Sequence, residues 1–126
     1  MILHAGYLWL VTGCLLTGAA LFALLPYASA LHALVAGGIG VFTIGMMARV
    51  ALGHSGRPLD VSRLTVVAFV IVNLAALLRV AGPLLVPAWY AEWIIVSAVL
   101  WGLGFGAFVL AYFSVLMRPR VDGRPG

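Results

Sequence analysis

Three histidines are the side chains of this sequence best suited to chemistry. His32 and His54 stand at the two ends of one long apolar segment, and His4 lies near the start of the chain. Neutral imidazole is a strong ligand for iron and copper, and histidines on neighbouring helices commonly hold haem in membrane cytochromes. The histidines therefore predict a metal or haem b site. The ordinary alternative is that they hydrogen-bond water or lipid headgroups.

The same apolar segment carries two methionines and an arginine. The thioethers of Met46 and Met47 suit a soft metal such as Cu(I), although methionine in a helix more often fills gaps in packing. Arg49 could bind a haem propionate, because guanidinium binds carboxylates in a bidentate geometry. Its other interpretation is an anchor that extends its charge to the membrane surface.

Composition places these groups in a membrane protein. The chain has 126 residues, of which 65% are hydrophobic and only 8% are charged. A soluble domain needs far more polar surface, and a membrane helix takes about 20 apolar residues. We therefore predict an all-α fold, a polytopic transmembrane four-helix bundle whose first partner is the lipid bilayer.

Other function classes lack support in the sequence. The net charge of +4 comes from seven scattered arginines that form no basic face, so nucleic acid is not expected as a partner. Walker, H-E-x-x-H and C-x-x-C-H motifs are absent, and only three acidic residues occur. No catalytic residue is predicted, and whether the chain is an enzyme stays open.

Four apolar segments predict the spans, at residues 2–25, 30–52, 64–80 and 90–117. They give a transmembrane domain over residues 1–117 and an arginine-rich tail over residues 118–126. The Ala-Ser-Ala sequence at residues 28–30 resembles a signal-peptide cleavage site, but no basic residue precedes the first apolar run. The residues expected to end the spans are Pro26, Gly53, Gly82 with Pro83, and Arg118 with Pro119.

The arginines predict the orientation of the bundle. The loop between the second and third spans holds Arg57 and Arg63, and the tail holds three more arginines. Arg79 is expected in the connection after the third span, where Glu92 balances it. The positive-inside rule therefore predicts that both termini are cytoplasmic.

The depth of each histidine predicts which of them act together. His4 begins the first span and His54 follows the second, so both are expected at the cytoplasmic face. His32 begins the second span, and the 22 residues from His32 to His54 rise about 33 Å. We therefore predict that His4 and His54 share one haem, with Arg49 beside it, and that His32 acts separately.

Small residues predict close helix contacts. Gly102 and Gly106 form a G-x-x-x-G pair on the fourth span, which favours a homo-oligomer or docking into a larger membrane complex. Glycines of the second span indicate either close packing or space for a flat cofactor. Cys14, the one cysteine, is expected to be buried as a small apolar residue.

Three segments resemble a known family. Residues 32–59, with their Gly-Met-Met-Ala-Arg and Gly-His-Ser-Gly-Arg-Pro-Leu sequences, are similar to a signature of the NnrS family. Residues 3–9 and 118–125 also resemble the carboxy-terminal four-helix part of that family. The resemblance covers nearly the whole chain.

The resemblance implies a polytopic protein of the bacterial inner membrane that contains haem and copper. It also implies a role in the nitric-oxide response or in denitrification. His4, His32, His54 and Arg49 occupy matching positions, but the resemblance does not say which metal each one binds. Two alternatives are a b-type cytochrome subunit that transfers electrons and a structural membrane subunit without a cofactor.

Overall fold

The computed structural model describes residues 2–121, and the regular structure in this part of the chain is entirely helical. Four helices are long and apolar enough to cross a membrane. They are α1 (Ile2–Leu21), α2 (Tyr27–His54), α3 (Arg63–Leu85) and α4 (Tyr90–Met117), and a 3₁₀ turn at Pro87–Trp89 precedes α4. The predicted all-α, four-span architecture is confirmed. Residues 122–126 of the predicted tail lie outside the described part.

The end of α1 comes four residues earlier than predicted, at Leu21. Ala23 takes a left-handed conformation with φ of 57°, and the Leu24 N–H donates to the Ala19 carbonyl at 3.1 Å. This is a Schellman ending, in which glycine usually occupies the left-handed position. An alanine there gives no sequence signal, which is why the predicted end at Pro26 was wrong.

The second helix also ends through a Schellman motif. It continues through Gly53 to His54, and the left-handed residue is Gly56, with φ of 69°. The Arg57 N–H donates to the Leu52 carbonyl at 3.0 Å. The predicted end at Gly53 was therefore wrong, because the glycine that reverses the chain lies three residues later.

The third helix passes through Gly82 and Pro83, which were expected to end it. Proline cannot donate the helical hydrogen bond to the carbonyl four residues earlier, but its fixed φ is compatible with a helix. The helix therefore continues to Leu85, and the Val86 N–H donates to the Gly82 carbonyl at 2.9 Å. Arg79 consequently lies inside the span and not in the outer connection, where it had been expected.

A π-helical segment interrupts α2 at Ala33–Ile39, between regular α-helical segments. Most π-helix in proteins occurs as single-turn insertions at strained or functional positions. Here the segment begins directly after His32 and contains the pair Gly37 and Gly38. Because a π-helical hydrogen bond spans one residue more than an α-helical one, the segment changes the direction in which side chains on one half of α2 point relative to those on the other half.

The second helix is the centre of the bundle. It contacts α1 along most of its length, and its two halves contact α3 at both ends. The helix α1 packs almost only against α2, and this contact is as extensive as the contact between α3 and α4. The largest fully buried apolar side chains lie between α2, α3 and α4, and they are Val41, Ile44, Val72 and Phe108.

Glycines bring α1 and α2 together. The Trp9 indole lies against Gly37, and Leu34 lies against Gly13, so closely that a Cβ at either glycine would clash. These contacts favour the packing interpretation of the second-span glycines, because neighbouring side chains already fill the space beside them. Three further contacts of the same kind join Gly6 to Phe42, Gly38 to Leu10, and Gly45 to Ile2.

Several small residues face away from the bundle. Cys14 is exposed on α1, so its predicted burial was wrong. It directly follows Gly13, whose side of α1 is the one that packs against α2. A Cβ added at Gly102 or Gly106 would have no neighbouring atom within 4 Å, whereas Gly104 between them packs against Val72. The predicted G-x-x-x-G pair is therefore open to an external contact.

We expect Ala23→Gly to raise the free energy of unfolding by about 0.5–1 kcal/mol, because glycine removes the left-handed strain of this position. The reciprocal change Gly56→Ala should lower it by a similar amount. Thermal unfolding of the purified protein in detergent, followed by circular dichroism, measures both. Ala20→Gly, inside α1, is the control and should destabilise by about 1 kcal/mol. A loss of stability in Ala23→Gly would contradict this account.

Candidate functional site

A large groove opens between α1, α2 and α3 at the end of the bundle where His54 lies. Its volume is about 1090 Å³, at the upper end of the range for ligand sites. The first turns of α1, the last turns of α2 and the first half of α3 form its walls, and Leu59 and Val61 of the connecting loop close one side. We call this cavity the His4 groove.

The groove exists because α2 separates α1 from α3 at this end. Small residues, Gly45 and Ala48, form its floor on α2, and side chains of α1 and α3 rise on either side. Aliphatic and aromatic groups dominate the lining, among them Leu3, Leu52 and Phe69. The space therefore suits a flat or elongated apolar molecule.

A hydrogen bond between side chains closes the inner end of the groove. The Trp9 indole N–H donates to the Asn73 side-chain oxygen at 3.1 Å, and the Asn73 amide donates to the Phe69 carbonyl at 2.8 Å. Trp9 and Asn73 both line the cavity. This pair satisfies two polar groups in an apolar environment and links α1 directly to α3. Asn73, an amide inside an apolar span, was the sequence signal that could have revealed it.

Two of the predicted site residues line the His4 groove. His4 comes from the first turn of α1, and Arg49 comes from α2, three residues before Leu52. His54 is the last residue of α2, at the same end of the bundle, but it is exposed and does not line the cavity. The structure therefore brings His4 and Arg49 together, and it places His54 outside the groove.

The methionines lie elsewhere. Met46 and Met47 are exposed on α2, at 46% and 43% of their surface, and line neither described cavity. Among residues 2–121, no three histidine, cysteine or acidic side chains come close enough to hold a metal ion together. The described chain therefore contains no metal site built from three or more of these side chains.

A second cavity lies at the opposite end of the bundle and has a volume of about 310 Å³. His32 lines it, together with Ser29 of the same helix and with Tyr90, at the start of α4. Pro83 and Pro87 contribute apolar walls. We call this cavity the His32 pocket. His32 and His4 thus line separate cavities.

Arg79 is a polar residue that the sequence interpretation misplaced. Its guanidinium donates to the Ile94 carbonyl at 3.3 Å and to the Ser97 hydroxyl at 3.4 Å. Both acceptors lie on α4, so Arg79 joins α3 to α4 within the span. No carboxylate of the described residues lies within ion-pair distance of it, so Glu92 offsets its charge in the count for that side of the membrane but does not pair with it.

Comparison with known proteins identifies the family of the chain. The family model described as NnrS protein matches residues 1–120. The chain belongs to the NnrS family. No curated protein and no solved structure matches the chain.

The NnrS match extends over all four spans and over both cavities. The chain is therefore a multi-pass membrane protein of the NnrS family. The resemblance first seen in residues 32–59 is confirmed, since the family model includes that segment.

We expect Gly37→Ala to displace the Trp9 indole, because the added methyl group would occupy the space of the ring. Crowding of this kind costs about 1–3 kcal/mol. The Trp9–Asn73 hydrogen bond should be lost with it, so combining Gly37→Ala with Asn73→Ala should cost less than the sum of the two single changes. Unfolding in detergent measures all three variants.

The matched control is Gly18→Ala on α1, where a Cβ has no atom within 4 Å. It should be neutral or slightly stabilising, because alanine favours a helix more than glycine does. Equal destabilisation by Gly18→Ala and Gly37→Ala would show that packing of Trp9 is not the cause.

Proposed function

We propose that this chain is a haem protein of the nitric-oxide response or of denitrification, and that haem b binds in the His4 groove. The observation that carries the proposal is the combination of one histidine, one arginine and apolar walls around a cavity of about 1090 Å³. The resemblance to the NnrS family supports the same cofactor.

The lining of the groove fits a porphyrin. The two faces of the ring are apolar and suit the aliphatic walls, such as Leu52 and Leu74. The His4 imidazole is the one iron ligand that lines the groove, and the Arg49 guanidinium suits a propionate. Trp9 and Asn73 close the inner end, so the cofactor would enter from the His54 end or between α1 and α3.

His54 is the proposed second ligand of the same haem. Its support is its position at the end of α2, on the same side of the membrane as His4. It does not line the groove, so its participation stays a prediction for the experiment below. A haem with one protein ligand keeps an open iron position, and a haem with two resists added ligands.

When bound, haem supplies an iron centre that binds nitric oxide and exchanges one electron. His4 would hold this group, Arg49 would pair with its negative charge, and the aliphatic walls would exclude water. An apolar site of this kind also admits a small neutral gas directly from the bilayer.

Copper has less support from the residues present. His32, Met46 and Met47 were predicted as ligands, but the methionines do not line the His32 pocket. Within the described residues no other histidine lines that pocket. Copper therefore stays a prediction from the family resemblance.

The proposed location is the bacterial inner membrane, with both termini in the cytoplasm. The support is the arginine distribution: Arg57, Arg63 and Arg118 all lie at the His54 end. In this orientation the His4 groove faces the cytoplasm and the His32 pocket faces outward.

The haem content of purified variants tests the proposed site. His4→Ala should abolish or greatly reduce haem per chain, because it removes an iron ligand. If His54 is the partner ligand, His54→Ala should do the same, and the double variant should add little, since both changes act on one site. Arg49→Ala should weaken haem retention less, since it removes a propionate contact and leaves iron bonded.

His32→Ala is the control, because His32 lines the other cavity. Loss of haem in His32→Ala but not in His4→Ala would move the cofactor to the opposite end of the bundle. Absence of a Soret band in the wild-type protein would leave the structural subunit as the better function. Failure of the reduced haem to bind nitric oxide would favour the electron-transfer cytochrome.

We also propose that α4 mediates association, either in a homo-oligomer or in a larger membrane complex. Gly106→Leu should weaken this association in mild detergent, because Gly102 and Gly106 face open space on α4. Size-exclusion chromatography with light scattering measures the mass. Gly18→Leu is the matched control on α1. An unchanged mass in Gly106→Leu would remove the proposed contact.

A further inference from the structure

The charge of Arg79 has no counter-ion in the described chain. A guanidinium has five N–H donors, and two of them belong to the nitrogen that bonds Ile94 and Ser97. The remaining three donors have no partner among residues 2–121. Asp60 lies at the other end of the bundle, and Glu92 forms no ion pair with Arg79.

The position of Arg79 makes this charge costly. It lies six residues before the end of α3, which is about 9 Å along the helix axis. Charged groups at such depth in a span are rare and are normally paired or directed to a polar cavity. Pairing with two neutral oxygens satisfies hydrogen bonds but leaves the charge unbalanced.

The His32 pocket adjoins this charge. Pro83 lines the pocket and lies one helical turn after Arg79, so both residues are on the same side of α3. The positive charge of Arg79 also interacts electrostatically with His32. Arg79 does not itself line the pocket, but it lies one helical turn from the pocket wall, which is mostly apolar.

Unused donors line the same pocket. Ser29 is only 4% exposed, yet its hydroxyl has no hydrogen-bond partner within the described part of the chain. The imidazole of His32 and the hydroxyl of Tyr90 are likewise unpaired there, and all three side chains line the cavity. No buried side-chain oxygen or nitrogen of the described residues lacks a partner, so the unpaired Ser29 hydroxyl is open to the cavity, where a ligand or water can accept its proton.

We propose that the His32 pocket binds a small inorganic anion, which Ser29, His32 and Tyr90 contact and whose charge Arg79 balances. A cavity of about 310 Å³ has room for a halide or a tetrahedral oxyanion. The nearby positive charge disfavours a metal cation in the same space. The site is independent of the His4 groove, which lies at the opposite end of the bundle.

The experiment uses the full chain, purified in detergent and stripped of lipid. Chloride, bromide and inorganic phosphate are titrated at constant ionic strength, and the melting temperature is recorded. At least one of them should raise the melting temperature of the wild type with a saturable dependence, since a ligand of the native state stabilises it. No saturable response to any of the three would overturn the proposal.

Variants locate the response. Arg79→Gln should weaken the apparent affinity at least about tenfold, as expected for loss of a charge-assisted contact, and Arg79→Lys should recover part of it. Ser29→Ala should weaken it by a smaller factor and covers the case in which Arg79→Gln fails to fold. Arg57→Gln is the matched control, because Arg57 is also half-buried and donates to the Val115 carbonyl at 3.4 Å. Equal effects of Arg57→Gln and Arg79→Gln would overturn the assignment.

Two further arms identify the source of the anion. In lipid-free detergent, an Arg79-dependent response to inorganic anions supports the proposal. A response seen only in vesicles that contain phosphatidylglycerol, and not in phosphatidylcholine alone, would show that a lipid headgroup is the ligand and would overturn it. Stabilisation by copper without any response to anions would also overturn it.

Discussion

The close approach of α1 to α2 is the contact on which the rest of this structure depends. In lipid the hydrophobic effect does not drive helices together. Their backbones must therefore approach closely enough for dispersion and hydrogen bonds to stabilise the contact. Here Trp9 lies directly on Gly37, in the π-helical part of α2. That position also aims its indole N–H at Asn73 on α3. One aromatic ring therefore holds α1 in place and closes the inner end of the His4 groove.

The His4 groove exists because this contact does not bring the first turns of α1 against α3. Because α1 packs almost only on α2, its first turns stand apart from α3, and the space between them is not filled by side chains. In a bundle with four mutually packed helices, the same residues would be core. Here they line the His4 groove, and His4 and Arg49 are the polar groups of ligand type among them. The haem proposed for this groove would join α1 to α3.

Much of the fold could be predicted from the sequence, and the reasons for the errors are local. Apolar length identified four spans, because a bilayer imposes one length on every helix. The helix ends were predicted wrongly where a residue adopts a conformation that is unusual for its type. Ala23 adopts a conformation that glycine normally takes, Gly53 remains helical, and Pro83 is accommodated within α3. The π-helical segment had no recognisable signal, since its glycines equally predict packing.

The site was predictable only in part, because spacing along a helix gives depth but not direction. Depth placed His4 and His54 at one end and His32 at the other, as the structure shows. It could not show that His4 and Arg49 turn into a groove while His54 stays outside it. Arg79 stood at the last turn of the predicted third span and was counted with the connection that follows, whereas α3 continues for six more residues.

Once Arg79 lies inside the span, the electrostatics of the bundle change. At the His54 end, Arg57, Arg63 and Arg118 lie between the spans or at their ends. The His32 end has one arginine within the apolar layer, with only neutral oxygens bound to it. A charge solvated by water needs no further partner, but a charge held in a low-dielectric environment does. For this reason the smaller cavity, and not the larger one, has the stronger electrostatic requirement for a ligand.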